Sequence, residues 1–204
     1  IEILESILPE NSLLAGFTFM SGANLGGSKV RHGGYGTTYI GELTGELSER
    51  LFQVSELLQE SGIPVRQVKR IQGRLWSKVI VYAAINPVSA ILRVTNGCLL
   101  EKEESLSLMK RLVDEGCRVA EAWGVDLVYP DLWQELLTAC SQSANNISPM
   151  LVDILNEHPT EIDAQNGMLC RYGKEKGVKT HTHESMVKLI RLIEYWKPGN
   201  ERRC

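Results

Sequence analysis

The segment Gly73–Ile91, GRLWSKVIVYAAINPVSAI, constrains the fold more than any other part of the chain. Apolar residues surround almost the whole of the helix that its spacing predicts, and such a helix has to be buried on nearly every side. We therefore predict a helix over Gly73–Val94 inside a helical domain. The apolar run from Val79 to Ile85 is much shorter than the roughly 20 residues that a membrane span needs.

Strand patterns come before this segment. β-Branched and aromatic residues predict a strand over Ser12–Ala23 and a short strand over Ile63–Val68. Lys29–His32 and Thr37–Ile40, with glycines between them, predict a hairpin. Leucines at helical spacing predict an amphipathic helix over Thr44–Gly62, with Thr44 as its N-cap.

Helix patterns dominate the rest of the chain. The predicted helices are Ser105–Gly124, Asp131–Ser143, two segments within Ser148–Gly177 separated by Pro159 and by a turn at Asn166-Gly167, and Thr182–Trp196. The fold class is therefore α+β, with a small α/β part over residues 1–71 and an all-α domain over residues 72–204.

The composition of the 204 residues excludes several functions. A net charge of −3 gives no support for binding to nucleic acid. The five cysteines are widely spaced and form no C-x-x-C pair, which favours a reducing, cytoplasmic location and gives no metal motif. The first residues lack the pattern of a signal peptide. We expect a cytoplasmic protein with no nucleic-acid or membrane partner.

Lys78, Tyr82 and Asn86 lie four residues apart and share one stripe of the central helix. A lysine among apolar residues either extends its ammonium group to solvent or lies in a polar cleft. In a cleft, burial lowers its pKa and suits it to proton transfer. The pattern leaves both interpretations open, and Asn86-Pro87 is equally compatible with a bend in the helix.

The other polar clusters are weaker candidates for a functional site. A carboxylate of Thr160–Asp163 either pairs with Lys78 or caps the following helix. His181 and His183 are two residues apart, so they do not share a helix face, and a surface or capping role is expected. The segments SGANLGG and HGGYG do not match G-x-G-x-x-G and predict hairpin turns.

Several of these segments together resemble the ketopantoate reductase (2-dehydropantoate 2-reductase) family. Leu75–Ile91 is similar to the family pattern W-x-K, then asparagine, then Asn-Pro-Leu-Ser/Thr-Ala. Ser148–Leu169 resembles its S-S-M-x-x-D…T-E-I-D-x-I-N-G signature. Leu14–Ala23 and Lys29–Glu42 resemble its last Rossmann-domain strands, and Leu112–Leu127 resembles its E-x-x-x-V-A-x-x-x-G-V helix.

This resemblance implies the end of a Rossmann-type NADP-binding domain over residues 1–71, lacking the glycine-rich loop, and a helical substrate domain over residues 72–204. It implies reduction of a 2-keto acid by NADPH. Lys78 matches the catalytic lysine that protonates the alkoxide. Asn86 matches the second substrate-binding asparagine. Glu161 matches the glutamate beside the lysine and the cofactor.

The sequence departs from the family at two substrate positions. Tyr82 stands where the family has its first asparagine, and Pro149 stands where it has a substrate-binding serine. Tyr82 and the neighbouring Ser148 are therefore the candidate substrate contacts at these places. A non-catalytic binding or assembly module is the alternative function, and a related reductase with a shifted substrate is a third. A homodimer is compatible with all three.

Overall fold

The computed structural model describes residues 2–9, 12–34 and 36–196. The chain divides into two compact units, residues 1–75 and residues 76–204. The sequence predicts a boundary four residues earlier, between residues 71 and 72.

Two small sheets build the first unit. Strands β1 (Leu14–Thr18), β4 (Thr38–Glu42) and β5 (Val65–Gln67) form a sheet in the order β1-β4-β5, in which β1 is antiparallel and β5 is parallel to β4. Strands β2 (Ser21–Asn24) and β3 (Val30–Gly34) form a separate antiparallel pair. The predicted strand Ser12–Ala23 is therefore two strands that belong to different sheets.

The predicted hairpin between Lys29–His32 and Thr37–Ile40 is wrong. The first segment pairs with β2, and the second pairs with β1. The tight turn lies instead at Gly26 and Gly27, whose φ angles of 91° and 59° favour glycine. SGANLGG thus holds a hairpin turn, as predicted, whereas HGGYG leads from β3 into another sheet. Tyr35 lies outside the described residues.

Helices α1 (Glu2–Glu5) and α2 (Glu49–Glu60) complete the first unit. The N-cap of α2 is Ser48, whose Oγ accepts a hydrogen bond from the backbone nitrogen of Leu51 at 3.1 Å. The prediction of Thr44 as the cap is wrong because Gly45, with φ of 84°, turns the backbone away from a helical path. Leu51 also packs with Ile40 and Val65 in a small core.

The helical part of the chain comprises α3 (Ile71–Leu92), a 3₁₀ turn (Gly97–Leu100), α4 (Glu103–Ala122), α5 (Leu132–Gln142), α6 (Pro149–Leu155), α7 (Asn166–Lys176) and α8 (His181–Tyr195). Each predicted helix is present, with ends that shift by a few residues. The predicted turn at Asn166-Gly167 is wrong, because both residues begin α7 and the turn occupies residues 161–165.

α3 supplies the middle of the helical core. The largest cluster of buried apolar side chains gathers around it and includes Ile80, Ala84, Ile85, Val88, Met109, Leu112, Leu136 and Leu169. α4 approaches α3 closely at Gly116, where an added Cβ would lie 2.8 Å from Cγ2 of Ile80. By length and composition α3 could cross a membrane, but 61% of its most apolar 18-residue stretch is buried inside the fold. The core helix of a globular domain is also long and apolar, so these two properties alone are weak evidence for a membrane span.

Polar contacts join α4 to the start of α8. The Glu115 carboxylate is buried and accepts hydrogen bonds from the backbone nitrogens of Thr182 and His183 and from the Thr182 hydroxyl, at 2.7–3.1 Å. A negative group satisfies the free N–H groups at a helix N-terminus and also interacts favourably with the helix dipole. Residues from distant parts of the sequence thus fix the last helix.

His183 lies inside the fold, so the predicted surface role is wrong for this histidine. Its Nε2 lies 3.0 Å from the carbonyl oxygen of Leu112, and its Nδ1 lies 3.0 Å from Nδ2 of Asn166. Since a carbonyl and an amide NH₂ impose opposite roles, Nε2 carries the proton and donates, whereas Nδ1 accepts. Asn166 Nδ2 also donates to the carbonyl of Ala83 at 2.8 Å. This network links α3, α4, α7 and α8.

Candidate active site

Lys78, Tyr82 and Asn86 lie on one face of α3, as their spacing predicts. Lys78 and Tyr82 are partly buried, and Asn86 is 3% exposed. The side-chain nitrogen of Lys78 lies 5.8 Å from the centroid of the Tyr82 ring. Along the stripe, a partly buried ammonium group is followed by an aromatic ring and then by a buried amide.

Burial lowers the pKa of Lys78 below its usual value, and the nearby Glu161 carboxylate opposes this shift by Coulombic attraction. Burial also raises the pKa of Tyr82, and Cys140 adds to that effect electrostatically. The two shifts leave an ammonium group that gives up its proton more readily than an exposed lysine, beside a phenol that stays neutral. Such a lysine suits general acid catalysis at a carbonyl oxygen.

Glu161 reaches the same region through a bridge of side-chain amides. Nδ2 of Asn86 donates to Oε1 of Gln165 at 3.1 Å, and Nε2 of Gln165 donates to Oε2 of Glu161 at 2.9 Å. The turn over residues 161–165 carries both acceptors back to α3, although Asn86 and Gln165 are 79 positions apart. The Thr160–Asp163 segment thus approaches the stripe through Gln165, and a pairing of Glu161 with Lys78 stays a prediction.

The rest of that turn is fixed by other contacts. The backbone nitrogen of Thr160 donates to Oε1 of Glu194 at 2.7 Å, and Arg191 pairs with Asp163 at 2.7 Å. These contacts with α8 hold the turn on both sides of Glu161. Asp163 is engaged with Arg191, and Glu161 is the carboxylate of this segment whose charge opposes the lowering of the Lys78 pKa.

Ser148 lies beside Asn86 but faces the interior. Its side chain is fully buried and caps α6, accepting from the backbone nitrogen of Leu151 at 3.2 Å. Its Oγ also lies 3.4 Å from the carbonyl oxygen of Asn86, to which it donates. Pro149 is exposed at the first position of α6, where its missing N–H costs no hydrogen bond. A direct contact of Ser148 with substrate stays a prediction.

Sequence reasoning missed the role of Gln165. Glutamine on a partly exposed turn is common, and nothing local distinguishes this one. The signal lies in its tertiary neighbours, because its two ends join an amide and a carboxylate that are distant in sequence. Glu115 was missed for the same reason, since its partners lie 67 and 68 positions away.

No three His, Cys, Asp or Glu side chains within residues 2–9, 12–34 and 36–196 gather closely enough to hold a metal ion. The glycine-rich segments also do not fit a dinucleotide pyrophosphate, because Gly26 and Gly27 form a strand-to-strand turn with no helix after it. Glu161 is the candidate cofactor contact within the chain.

A small β-sheet unit followed by a helical domain with a lysine–asparagine stripe defines a two-part α+β fold. The family model described as ketopantoate reductase PanE/ApbA C terminal matches residues 70–194. That match covers more than half of the 204 residues. The chain belongs to the ketopantoate reductase family.

Individual relatives agree with this assignment. The chain is 33% identical to the 2-dehydropantoate 2-reductase of Archaeoglobus fulgidus over 174 residues, which are 85% of this chain and 58% of that protein. It superposes on the PanE/ApbA family ketopantoate reductase of Ralstonia eutropha JMP134 with a TM-score of 0.86 and 27% identity, covering 95% of this chain and 62% of that one.

A structure of D-mandelate dehydrogenase with NADH has the same fold, with a TM-score of 0.89 at 23% identity. That comparison covers 95% of this chain and 66% of the dehydrogenase chain. The chain therefore spans about six-tenths of the length of the relatives that it matches.

Proposed function

We propose that the protein containing these residues reduces a 2-keto acid, ketopantoate or a related compound, with NADPH. The observation that carries the proposal is the position of Lys78, with its lowered pKa, on one stripe with Asn86 and under the influence of Glu161. The 2-dehydropantoate 2-reductases among the relatives support the substrate class.

In this proposal Lys78 acts on the keto oxygen. Its ammonium group donates a hydrogen bond to that oxygen and stabilises the negative charge that develops there. It then transfers a proton from Nζ, which converts the alkoxide to the 2-hydroxy acid. The lowered pKa makes this transfer easier, and the Glu161 carboxylate keeps the lysine protonated over a wider pH range.

The remaining residues hold the substrate. Asn86 binds a polar group of the keto acid, and the Tyr82 ring limits the space next to the ammonium group. Ser148 supports Asn86 from behind through the carbonyl oxygen of that residue. Glu161 also approaches the cofactor in this proposal.

NADPH supplies the hydride when it is bound. The pyrophosphate of such a cofactor is held by a glycine-rich loop at a helix N-terminus, and the sequence of 204 residues contains no G-x-G-x-x-G. The residues of this chain therefore act on the keto acid in this proposal. The residues named above bind, shield and protonate the substrate.

The test uses the natural full-length protein that contains this sequence. Ketopantoate-dependent oxidation of NADPH is followed for the wild type, for Lys78→Ala and for Lys188→Ala, which removes an exposed lysine of α8. We expect Lys78→Ala to lower kcat about 10²- to 10⁴-fold, as for other general acids. Lys188→Ala should match the wild type. Equal rates for Lys78→Ala and the wild type, with the same circular dichroism spectrum, would refute the mechanism.

A non-catalytic binding module predicts a different result. The wild type would then show no oxidation of NADPH with any branched 2-keto acid. Titration of the same protein with NADPH separates the two functions further, because a reductase binds the cofactor and shows the fluorescence change that accompanies binding.

A further inference from the structure

Among the residues that the structure describes, Gln165 is the one side chain that bridges Asn86 and Glu161. It accepts from Asn86 Nδ2 at 3.1 Å and donates to Glu161 Oε2 at 2.9 Å. We propose that Gln165 is a positioning residue, which fixes the amide of Asn86 in one orientation and thereby sets the kind of substrate group that Asn86 binds. This inference rests on the proposed function.

The Glu161 carboxylate determines the direction of the bridge. Carboxylate oxygens only accept hydrogen bonds, so the end of Gln165 that faces Glu161 has to be its NH₂ group. The carbonyl oxygen Oε1 of Gln165 is then the end that faces Asn86. A carbonyl oxygen also only accepts, so Asn86 has to turn its own NH₂ group towards Gln165.

This orientation leaves one atom of Asn86 without a partner. Oδ1 is buried, and no hydrogen-bond partner for it occurs within the described residues. A buried acceptor without a donor is unfavourable, so a group that donates a hydrogen bond to Oδ1 gains more than one that accepts. The bridge therefore makes Asn86 selective for a hydroxyl-bearing 2-keto acid over the same skeleton without that hydroxyl.

The bridge uses both ends of the Gln165 side chain, and an apolar side chain at this position would make neither hydrogen bond. Without the bridge, the amide of Asn86 can rotate by half a turn and present either its oxygen or its nitrogen. Gln165 thus removes a rotational freedom that the amide of Asn86 would otherwise have.

The first test compares Gln165→Leu with Gln134→Leu in the full-length protein. Both variants replace a glutamine by an apolar residue of similar length, and Gln134 is exposed on α5. For Gln165→Leu we expect KM for the hydroxylated 2-keto acid to rise about five- to thirty-fold, the effect of one misplaced hydrogen bond, while kcat stays within about threefold. The preference for the hydroxylated substrate should shrink by a similar factor. Gln134→Leu should match the wild type.

A pH profile separates positioning from a purely structural role. Gln165→Glu introduces a second carboxyl group next to Glu161, and two adjacent carboxyl groups share one proton in mildly acidic solution. The shared proton restores the bridge, whereas its loss at higher pH places two negative charges together. KM of Gln165→Glu should therefore be near that of the wild type at about pH 5 and should rise towards about pH 8, whereas KM of the wild type should not rise in this way. A constant ratio of the two KM values over this range would overturn the inference.

An NMR measurement distinguishes failure of this inference from failure of the proposed function. The side-chain NH₂ signals of Asn86 in protein labelled with ¹⁵N-asparagine report its hydrogen bond without any substrate. Gln165→Leu should shift these signals and speed their exchange with solvent. Unchanged signals would overturn the positioning role even if the enzyme is active. A wild type that is inactive with every 2-keto acid would overturn the proposed function and the substrate selectivity derived from it.

Discussion

The ammonium nitrogen of Lys78 lies 5.8 Å from the centre of the Tyr82 ring, one helical turn further along α3. A cation at this distance from an aromatic face is weakly attracted by it. The ring is partly buried and occupies space on the same stripe as the proposed acid. Under the proposed function, we expect Tyr82 to limit how a substrate approaches Lys78.

Replacement of Tyr82 by asparagine should favour ketopantoate. The smaller amide frees space beside Lys78 and provides the donor and acceptor that the family pattern has at this position. We expect kcat/KM for ketopantoate to rise about tenfold, which is the effect of one good hydrogen bond. Tyr82→Phe serves as the control because it keeps the ring and removes only the hydroxyl. If neither variant gains activity, Tyr82 does not select the substrate.

The pH dependence of the reaction should report the protonation of Lys78. A general acid has to carry its proton, so kcat/KM falls as pH rises through its pKa. Burial lowers that pKa, which places the decline at a lower pH than for an exposed lysine. Glu161→Gln removes the Coulombic attraction that raises the pKa, so the decline should move to a still lower pH. Because Glu161 is exposed, solvent screens its charge, and the further shift should be small.

Glu175→Gln is the control for that profile, because Glu175 is an exposed carboxylate on α7. Its profile should coincide with that of the wild type. If the decline of kcat/KM moved to higher pH in Glu161→Gln, this would contradict the assignment of the decline to deprotonation of Lys78.

His183 should make the fold sensitive to mild acid. Burial lowers its pKa because desolvation disfavours the charged ring, and this outweighs the opposing effects of the Glu115 charge and the hydrogen bond to Leu112. Below the unfolded pKa of about 6.5 the unfolded chain binds a proton that the folded chain does not, so stability falls as pH falls from there towards the folded pKa. In His183→Gln this contribution should disappear, although the variant is less stable at neutral pH. Urea unfolding at several pH values measures the slope of the unfolding free energy against pH.

His181 provides a matched comparison on the same helix. It is exposed and lies 3.6 Å from Glu184. His181→Gln should retain the acid sensitivity that His183 causes. A slope that disappears in His181→Gln and persists in His183→Gln would contradict the role of the buried ring.

Because α4 approaches α3 closely, one substitution should lower stability in the wild type and raise it in a variant with more space. In the wild type Gly116→Ala should destabilise the protein by about 1 kcal/mol, because the new Cβ overlaps Ile80 and this overpacking exceeds the gain in helix propensity. In an Ile80→Ala background the space is free, so Gly116→Ala should stabilise. Gly167→Ala, whose added Cβ makes only ordinary van der Waals contacts of 3.4–3.6 Å with Asp163 and Ile162, should not show this reversal in thermal unfolding.

The sequence predicts α3 and its polar stripe well because both depend on local periodicity. Lys78 and Asn86 share a face in any straight helix, and the apolar surroundings require burial whichever partners supply it. The hairpin at Lys29–His32 could not be predicted correctly, because alternation identifies a strand but not its partner. The N-cap of α2 is Ser48 and not the predicted Thr44, because the positive φ of Gly45 breaks a helical path between the two residues.

Long-range polar contacts were the least accessible part of the site. Gln165 has no local pattern, and only the folded turn brings its amide between Asn86 and Glu161. Ser148 was expected near substrate from its place in a motif, whereas its hydroxyl is already engaged by two backbone groups. Such bonds follow from tertiary packing and cannot be derived from spacing along one element.

The contact between Glu115 and the start of α8 has a consequence for synthesis on the ribosome. A nascent chain that ends before Thr182 already contains α3 and α4, but it lacks the donors that Thr182 and His183 provide to the Glu115 carboxylate. A carboxylate without donors resists transfer out of water, so α4 cannot settle into its final environment at that stage. We therefore expect the helical unit to be completed only after its last helix has emerged from the exit tunnel, and premature termination near residue 180 should leave an open intermediate that proteases cleave.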